Sequence, residues 1–411
     1  MDALQKEEQK RVRIHGYHQR NQTQHHQHLH HLVITPPISL DYKPAHESEK
    51  HKSPINRVIE LLKSMRPGTE LTKFQIPVQL NLPKSQLQNY GESLYCCGQD
   101  LLGACVDGAS PLQRLLRVVA WHISTTRYVP FGHVPFNPIL GETHHVSSGH
   151  LNVLLEQVSH HPPVMALYAT DDVRKIRTQW SHKAVPRFYG NKVEGTIYGK
   201  RMLWLDAHHE AYEITCPKLL IRLFPVPGTE WVGTSTIKCV STKLEANLLF
   251  KGKPLFGLRG TAGHVSGKIY DVSTSSTLYE INGAWNKTIT AKNLKTEESS
   301  LLYDAQAALS NLQPLVVQNK GLDASESLVV WRSVMSGIVN WDWEAARQAK
   351  HEIEERQRDL EKKRKMDGKL WRPRHFVQVD GEDHWQWCHF GEAVSPAPLV
   401  MQSCYVETEK V

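Results

Sequence analysis

From about Ile139 to Trp285 the chain consists of short runs of Val, Ile, Leu, Tyr and Trp, each cut off by a turn former. The breaks fall at Ser147-Ser148-Gly149, Asp171-Asp172, Tyr189-Gly190-Asn191, Tyr198-Gly199-Lys200 and Pro227-Gly228. Such spacing predicts many short antiparallel strands joined by tight turns. No helical period intervenes at the intervals a βαβ unit needs, and no repeat of fixed length recurs. One large sheet curled into a barrel therefore outranks a doubly wound fold or a propeller. A barrel interior can hold an apolar ligand.

The flanks read differently. Residues 1–52 are rich in Gln and His and hold nine of the 24 histidines. With few apolar residues to pack and no fixed geometry for a metal, they read as a disordered tail. Ser53-Pro54 then offers a helix start, and Ile55, Val58, Ile59, Leu62 and Met65 follow at spacings of three and four until Pro67-Gly68. This amphipathic segment, 53–66, is either the edge of a core or a mobile lid that touches membrane. A second helix begins at Ser110-Pro111 and runs through Leu112, Leu115, Leu116 and Val119. A long charged helix spans Trp343 to about Asp367, with a narrow apolar stripe at Ile353 and Leu360. After it, Arg374 to Gly381 alternates and turns, and Trp385 and Trp387 share one face of a strand that packs back on the barrel. The expected division is a tail (1–52), a lid (53–66), a barrel with C-terminal helices (67–390) and a second tail (391–411).

Composition narrows the classes. The net charge of +7 favours acidic partners but lacks the dense basic stripes of a nucleic-acid binder. No apolar run approaches the roughly 18 residues needed to cross a bilayer. The N-terminus lacks the apolar stretch and cleavage site of a signal peptide. The seven cysteines are odd in number and form no C-x-x-C pair, which suits free thiols in the cytosol. A soluble cytosolic protein that visits membrane surfaces is the expected class.

The most informative segment is Glu156-Gln157-Val158-Ser159-His160-His161-Pro162-Pro163, directly after the apolar run Leu151 to Leu155. Two prolines stop a strand there and hold the backbone extended, so both imidazoles can turn toward one ligand. Paired imidazole donors at a strand end suit a phosphate, and their spacing is not that of a zinc ligand set. The octapeptide resembles the signature of the oxysterol-binding protein family. Four further segments agree in chain order: Glu70 to Val78, Pro135 to Thr143, Ile281-Asn282-Gly283-Ala284-Trp285, and Lys350 to Arg358.

That resemblance covers about residues 53–390. It implies a mainly β chain with helices, built as an incomplete antiparallel barrel around a lipid tunnel. It also implies an N-terminal lid and a single sterol or phospholipid cargo ferried between membranes, with phosphatidylinositol 4-phosphate as counter-ligand. Carried over residue by residue, the headgroup contacts are Asn137, Glu142, His160, His161, Lys350, Glu354 and Arg358. No cofactor, metal or nucleic acid is implied.

Lys350, Glu354 and Arg358 are four apart, so on a helix each step drifts only about 40° and the three share one face. By themselves they read as salt bridges on a solvated helix. Beside the His-His motif they read as two cations, held by a carboxylate, that clamp a phosphomonoester. One position departs from the family: Val134 stands in His133-Val134-Pro135 where a lysine is common, which removes one phosphate cation. Two other classes remain open, a lipid sensor or scaffold that binds without transporting and a phosphoesterase that uses His160 or His161. The second lacks a G-x-S-x-G elbow, a metal set or a P-loop to supply a nucleophile, so the chain is expected not to be an enzyme.

Overall fold

In a computed structural model, residues 32–40, 42, 54–63, 65–253, 263–310, 312–318, 321–379 and 384–401 are described. The turn chemistry of the strands repeats. Asp171 Oδ1 accepts from the amides of Val173 (3.1 Å) and Arg174 (2.9 Å), and Lys175 then turns left-handed at φ 56°. Asp271 does the same with Ser273 and Thr274 ahead of Ser275, also at φ 56°. An Asx-capped turn of this kind reverses the chain without glycine.

The strands so joined are β3 (Thr143–Ser148), β4 (Leu151–His160), β5 (Pro163–Asp171), β6 (Ile176–Phe188) and β7 (Lys192–Tyr198). They continue in β8 (Arg201–Leu205), β9 (Glu210–Ile214), β10 (Lys218–Arg222), β11 (Gly228–Cys239), β12 (Leu244–Lys251), β13 (His264–Asp271), β14 (Ser276–Ala284), β15 (Thr288–Asn293) and β16 (Ser299–Asp304). Hydrogen bonds run in order from β16 down to β10, then through β7, β6, β5 and β4 to β3; β8 and β9 bridge β6 to β11. Past β3 the sheet takes in β20 (Leu399–Met401) and β17 (Leu315–Val317). β16 and β17 end the path without pairing to each other, so the curled sheet does not close. The expected mainly β architecture with an incomplete barrel is what forms.

β12 shows why the sheet curls around a core: Leu244, Ala246, Leu248 and Phe250 point inward while Glu245 and Lys251 face out. β5 is instead buried on both faces. A C-terminal hairpin of β18 (Phe376–Gln378) and β19 (Trp385–Trp387) lies over its outside, packing Phe376 and Trp387 on Leu154, Val158, Val164 and Tyr168. The return of this segment onto the barrel matches the expectation.

Helices fill part of the interior. In order they are α1 (Pro54–Leu62), α2 (Gln86–Tyr95), α3 (Pro111–Ser124), α4 (Ala305–Leu309), α5 (Ser327–Val330), α6 (Arg332–Val339) and α7 (Trp343–Met366). Ser110 Oγ caps α3 through the Gln113 amide at 3.3 Å, and Leu115, Val118, Val119 and Ile123 are fully buried in the main core. Sequence reading missed α2, whose mixed face hides six buried positions behind a near-zero apolar balance. Ahead of it, β1 (Asn81–Ser85) pairs in parallel with β2 (Val134–Phe136).

Both expected tails need correction where they are described. Residues 32–40 are not loose: Ile38 is buried, Leu32, Val33, Ile34 and Leu40 pack on the main core, and the Leu40 amide donates to Leu309 at 3.2 Å. Residues 399–401 are not a tail either, because β20 runs parallel to β3 in the main sheet with Leu399 opposite Val146. Short apolar runs flanked by polar sequence had no local sign of the distant edge that receives them. Residues 1–31 and 402–411, and with them most of the His-rich tract, lie outside the described residues, as does the expected cap Ser53. Among the described residues no helix is long and apolar enough to cross a membrane.

Candidate functional site

Two adjoining cavities open inside the sheet. The first, of about 510 Å³, is lined by Asn137, His160, His161, Lys350, Glu354 and Arg358. The second, of about 340 Å³, is walled mainly by apolar groups, with Val58, Leu61 and Leu62 of α1 on one side and Ile221 and Trp231 on another. Leu71, Phe74, Ile76, Tyr90 and Val134 border both. A polar chamber is thus set beside an apolar one.

α1 sits over the apolar chamber because its stripe finds a partner there: Leu62 is buried against Phe188, Val193 and Leu223, with Val58 and Met65 beside it. The Pro67-Gly68 turn that ends the segment is tied to the barrel by the Gly68 amide, which donates to the Phe188 carbonyl at 2.6 Å, and Gly68 takes the left-handed φ of 92° that the turn requires.

In the polar chamber, His160 is the last residue of β4 and His161 begins the turn, with ring centroids 4.7 Å apart. His160 Nδ1 lies 3.1 Å from the Pro138 carbonyl. A carbonyl only accepts, so Nδ1 carries the proton and Nε2 is left for other partners. The proline-flanked Asn137-Pro138 segment therefore orients the histidine as well as lining the chamber. Burial, then the neighbouring His161, hold the His160 pKa below the usual imidazole value, so the ring is neutral at pH 7.

Lys350 comes from α7, where Asp342 Oδ1 caps the Ala345 amide at 3.0 Å and starts the helix that carries the triplet. Its Nζ donates to the Ile76 carbonyl and, at 2.8 Å, to Asn81 Oδ1. Burial lowers its pKa, partly offset by Glu354. Glu354 stands 3.9 Å from Lys350. Among the described residues, Arg358 makes no hydrogen bond or ion pair, although it borders the chamber. The expected arrangement of one carboxylate holding two cations is thus replaced by a lysine fixed from the β1 side and a guanidinium left open. Arg347, off this face, is exposed and paired with Glu344 at 2.8 Å.

Six of the seven expected contacts therefore meet in one chamber; Glu142 does not. It is 1% exposed and accepts from Ser85, Ser327 (2.7 Å), Trp331 Nε1 (2.8 Å) and the Ile139 amide (3.0 Å). Desolvation raises its pKa against the pull of these donors. Its carboxylate ties α2, α5 and α6 to the sheet and has no lone pair turned to the cavity. Gly141 sets this up: its φ is 81°, and a Cβ there would sit 2.5 Å from the Trp371 ring. The residue that sequence reasoning overlooked is Asn81. Its only signal was one amide within an apolar run, Leu80-Asn81-Leu82, yet its side chain joins Lys350 to the Val134 carbonyl, 3.2 Å from Nδ2. Lys73, a cation on the chamber wall, is a second residue that sequence reasoning overlooked.

Comparisons with known proteins bear on the family and the fold. The Oxysterol-binding protein family profile matches residues 58–394. Oxysterol-binding protein-related protein 4B of Arabidopsis thaliana is 45% identical over 376 residues, covering 90% of this chain and 98% of that one. The Osh1 ORD domain solved in complex with cholesterol superposes with a TM-score of 0.69 at 22% identity, covering 87% of this chain and 90% of that one. The Osh3 ORD from Saccharomyces cerevisiae, solved with PI(4)P, does so with a TM-score of 0.64 at 18% identity, covering 88% and 95%. At those identities the two structures speak for the shared fold, while the profile and the plant relative carry the assignment: the chain belongs to the oxysterol-binding protein family.

Proposed function

We propose that this protein binds one lipid at a time, its apolar body in the chamber under α1, and carries it between membranes. α1 serves as the lid and the polar chamber as the headgroup site. The observation that carries the reading is the pairing of the two chambers: an apolar cavity beside six polar residues, among them an Arg358 unpaired among the described residues and a lysine held in place by Asn81. An amphiphile matches that split, and a phosphomonoester matches the cations. Related ORD domains solved with cholesterol and with PI(4)P support both ligand classes. His160, His161, Lys350 and Arg358 are the proposed phosphate contacts, His160 through Nε2 once the charge of a bound phosphate has brought a second proton onto its ring; Glu354 and Asn137 are proposed partners for headgroup hydroxyls.

Transport is tested by mixing donor liposomes containing dehydroergosterol with acceptors containing phosphatidylinositol 4-phosphate. The full chain should move sterol one way and the phosphoinositide the other. Extraction without delivery would assign a sensor instead, and release of the inositol headgroup would assign an enzyme.

A further inference from the structure

Three lysine or arginine side chains are buried in the described residues: Lys84, Arg114 and Arg201. Two have a carboxylate. Lys84 meets Glu92 at 2.7 Å, and Arg114 forms a two-pronged pair with Glu210 at 2.9 and 2.7 Å. Arg201, 7% exposed at the start of β8, has none among the described residues. It donates once, from Nη1 to Thr125 Oγ1 at 3.0 Å, and its Nε is buried without a partner. The guanidinium lies 5.2 Å from the centre of the Trp121 ring, which softens the charge but does not neutralise it.

Arg201 borders the apolar chamber, and its neighbours there bring no negative charge. Burial and the Arg201 charge push the His122 imidazole down to about 3, and the same two causes push His182 well below its usual value, so both rings are neutral. Burial also pushes the Cys216 thiol up, which keeps it protonated. His182 stacks on Trp180 at 4.2 Å. An arginine stays protonated even when burial lowers its pKa. The chamber wall therefore holds a fixed positive charge to which no described residue brings a counter-charge, in a place that none of the headgroup residues reaches.

We propose that the apolar chamber is built for a lipid that enters with an oxyanion at its buried end, a carboxylate that pairs with Arg201. A buried cation left alone is strongly unfavourable, and a two-oxygen acceptor fits the guanidinium fork better than a lone hydroxyl does. This inference rests on the lipid-binding reading above, and the test separates the two.

Binding of cis-parinarate, a fluorescent fatty acid, and of dehydroergosterol, a neutral sterol, is titrated on the full chain and on Arg201→Met and Arg201→Lys. The expected result is saturable parinarate binding that weakens about tenfold or more in Arg201→Met, as for loss of a charge-assisted pair, and recovers in part in Arg201→Lys. Dehydroergosterol affinity should change much less. Without ligand, Arg201→Met should melt no lower than the parent, because the removed charge was unpaired, and parinarate should raise the melting temperature of the parent more than that of the variant. Sterol binding without saturable parinarate binding, or an equal loss of both ligands in Arg201→Met, overturns the inference and leaves the lipid reading in place. Binding of neither ligand by the parent overturns both.

Discussion

Lys350 Nζ donates to Asn81 Oδ1 at 2.8 Å, and Asn81 thereby sets the position of the cation that faces the polar chamber. The same amide holds the Val134 carbonyl through Nδ2 at 3.2 Å, so one buried side chain aligns the helix that carries the charge with the strand that borders the cavity. Asn81→Leu should therefore weaken phosphatidylinositol 4-phosphate binding nearly as much as Lys350→Ala, by about 1.5–3 kcal/mol for a lost or misplaced charge-assisted contact. Arg358→Ala should do the same. Arg347→Ala, already paired with Glu344 at the surface, should change binding by less than about 0.5 kcal/mol. Matched titrations on liposomes at one ionic strength check all four; equal effects would return the triplet to ordinary surface salt bridges.

Val134, the position at which the resemblance to the family implies a lysine, borders both chambers. Val134→Lys should tighten binding of the 4-phosphate lipid by about 1–3 kcal/mol, less whatever desolvation the new ammonium suffers. Plain phosphatidylinositol is the control. A gain for both lipids, or for neither, would mean that position 134 does not face the phosphate.

Glu142 gives the opposite kind of prediction. Glu142→Ala leaves Ser85, the Ile139 amide and Trp331 without their acceptor, and stability should fall by about 3–5 kcal/mol, as for several buried donors left unsatisfied at about 1–3 kcal/mol each. Denaturant unfolding measures this. A stable variant with selective loss of phosphoinositide binding would restore Glu142 to the headgroup site.

This residue shows where the sequence stops being legible. The His160-His161 pair and the spacing of Lys350, Glu354 and Arg358 could be read locally, because strand termination and helical period act over a few residues. The role of Glu142 could not, since it depends on Ser327 and Trp331, nearly two hundred residues away. The same holds for residues 32–40 and β20, whose partners are Leu309 and Val146. The strand texture between Ile139 and Trp285 announced the sheet, but nothing in it said that α3 would occupy part of the interior and leave two chambers.

The buried histidines predict an acid limit. His122 is held near 3 in the folded chain, against 6.5 for a free imidazole. Below pH 6.5 the unfolded chain takes up a proton that the folded chain refuses, so stability falls as pH drops, by about 1.4 kcal/mol per pH unit from this group, until its folded pKa is reached. His182, shifted the same way, adds to the slope. Urea midpoints measured from pH 7 to pH 4.5 should decline, and His122→Gln should flatten the decline. A pH-independent midpoint would contradict the burial of a neutral His122.

The most direct test of the two-chamber account is the double substitution His160→Ala with His161→Ala, with phosphatidylinositol 4-phosphate and dehydroergosterol extracted from matched liposomes. Phosphoinositide extraction should fall by about tenfold or more, as for lost charge-assisted contacts, while sterol extraction and the melting temperature stay close to those of the parent. Equal loss of both lipids with a lowered melting temperature would contradict the account and make the His-His-Pro-Pro turn a structural element of the sheet.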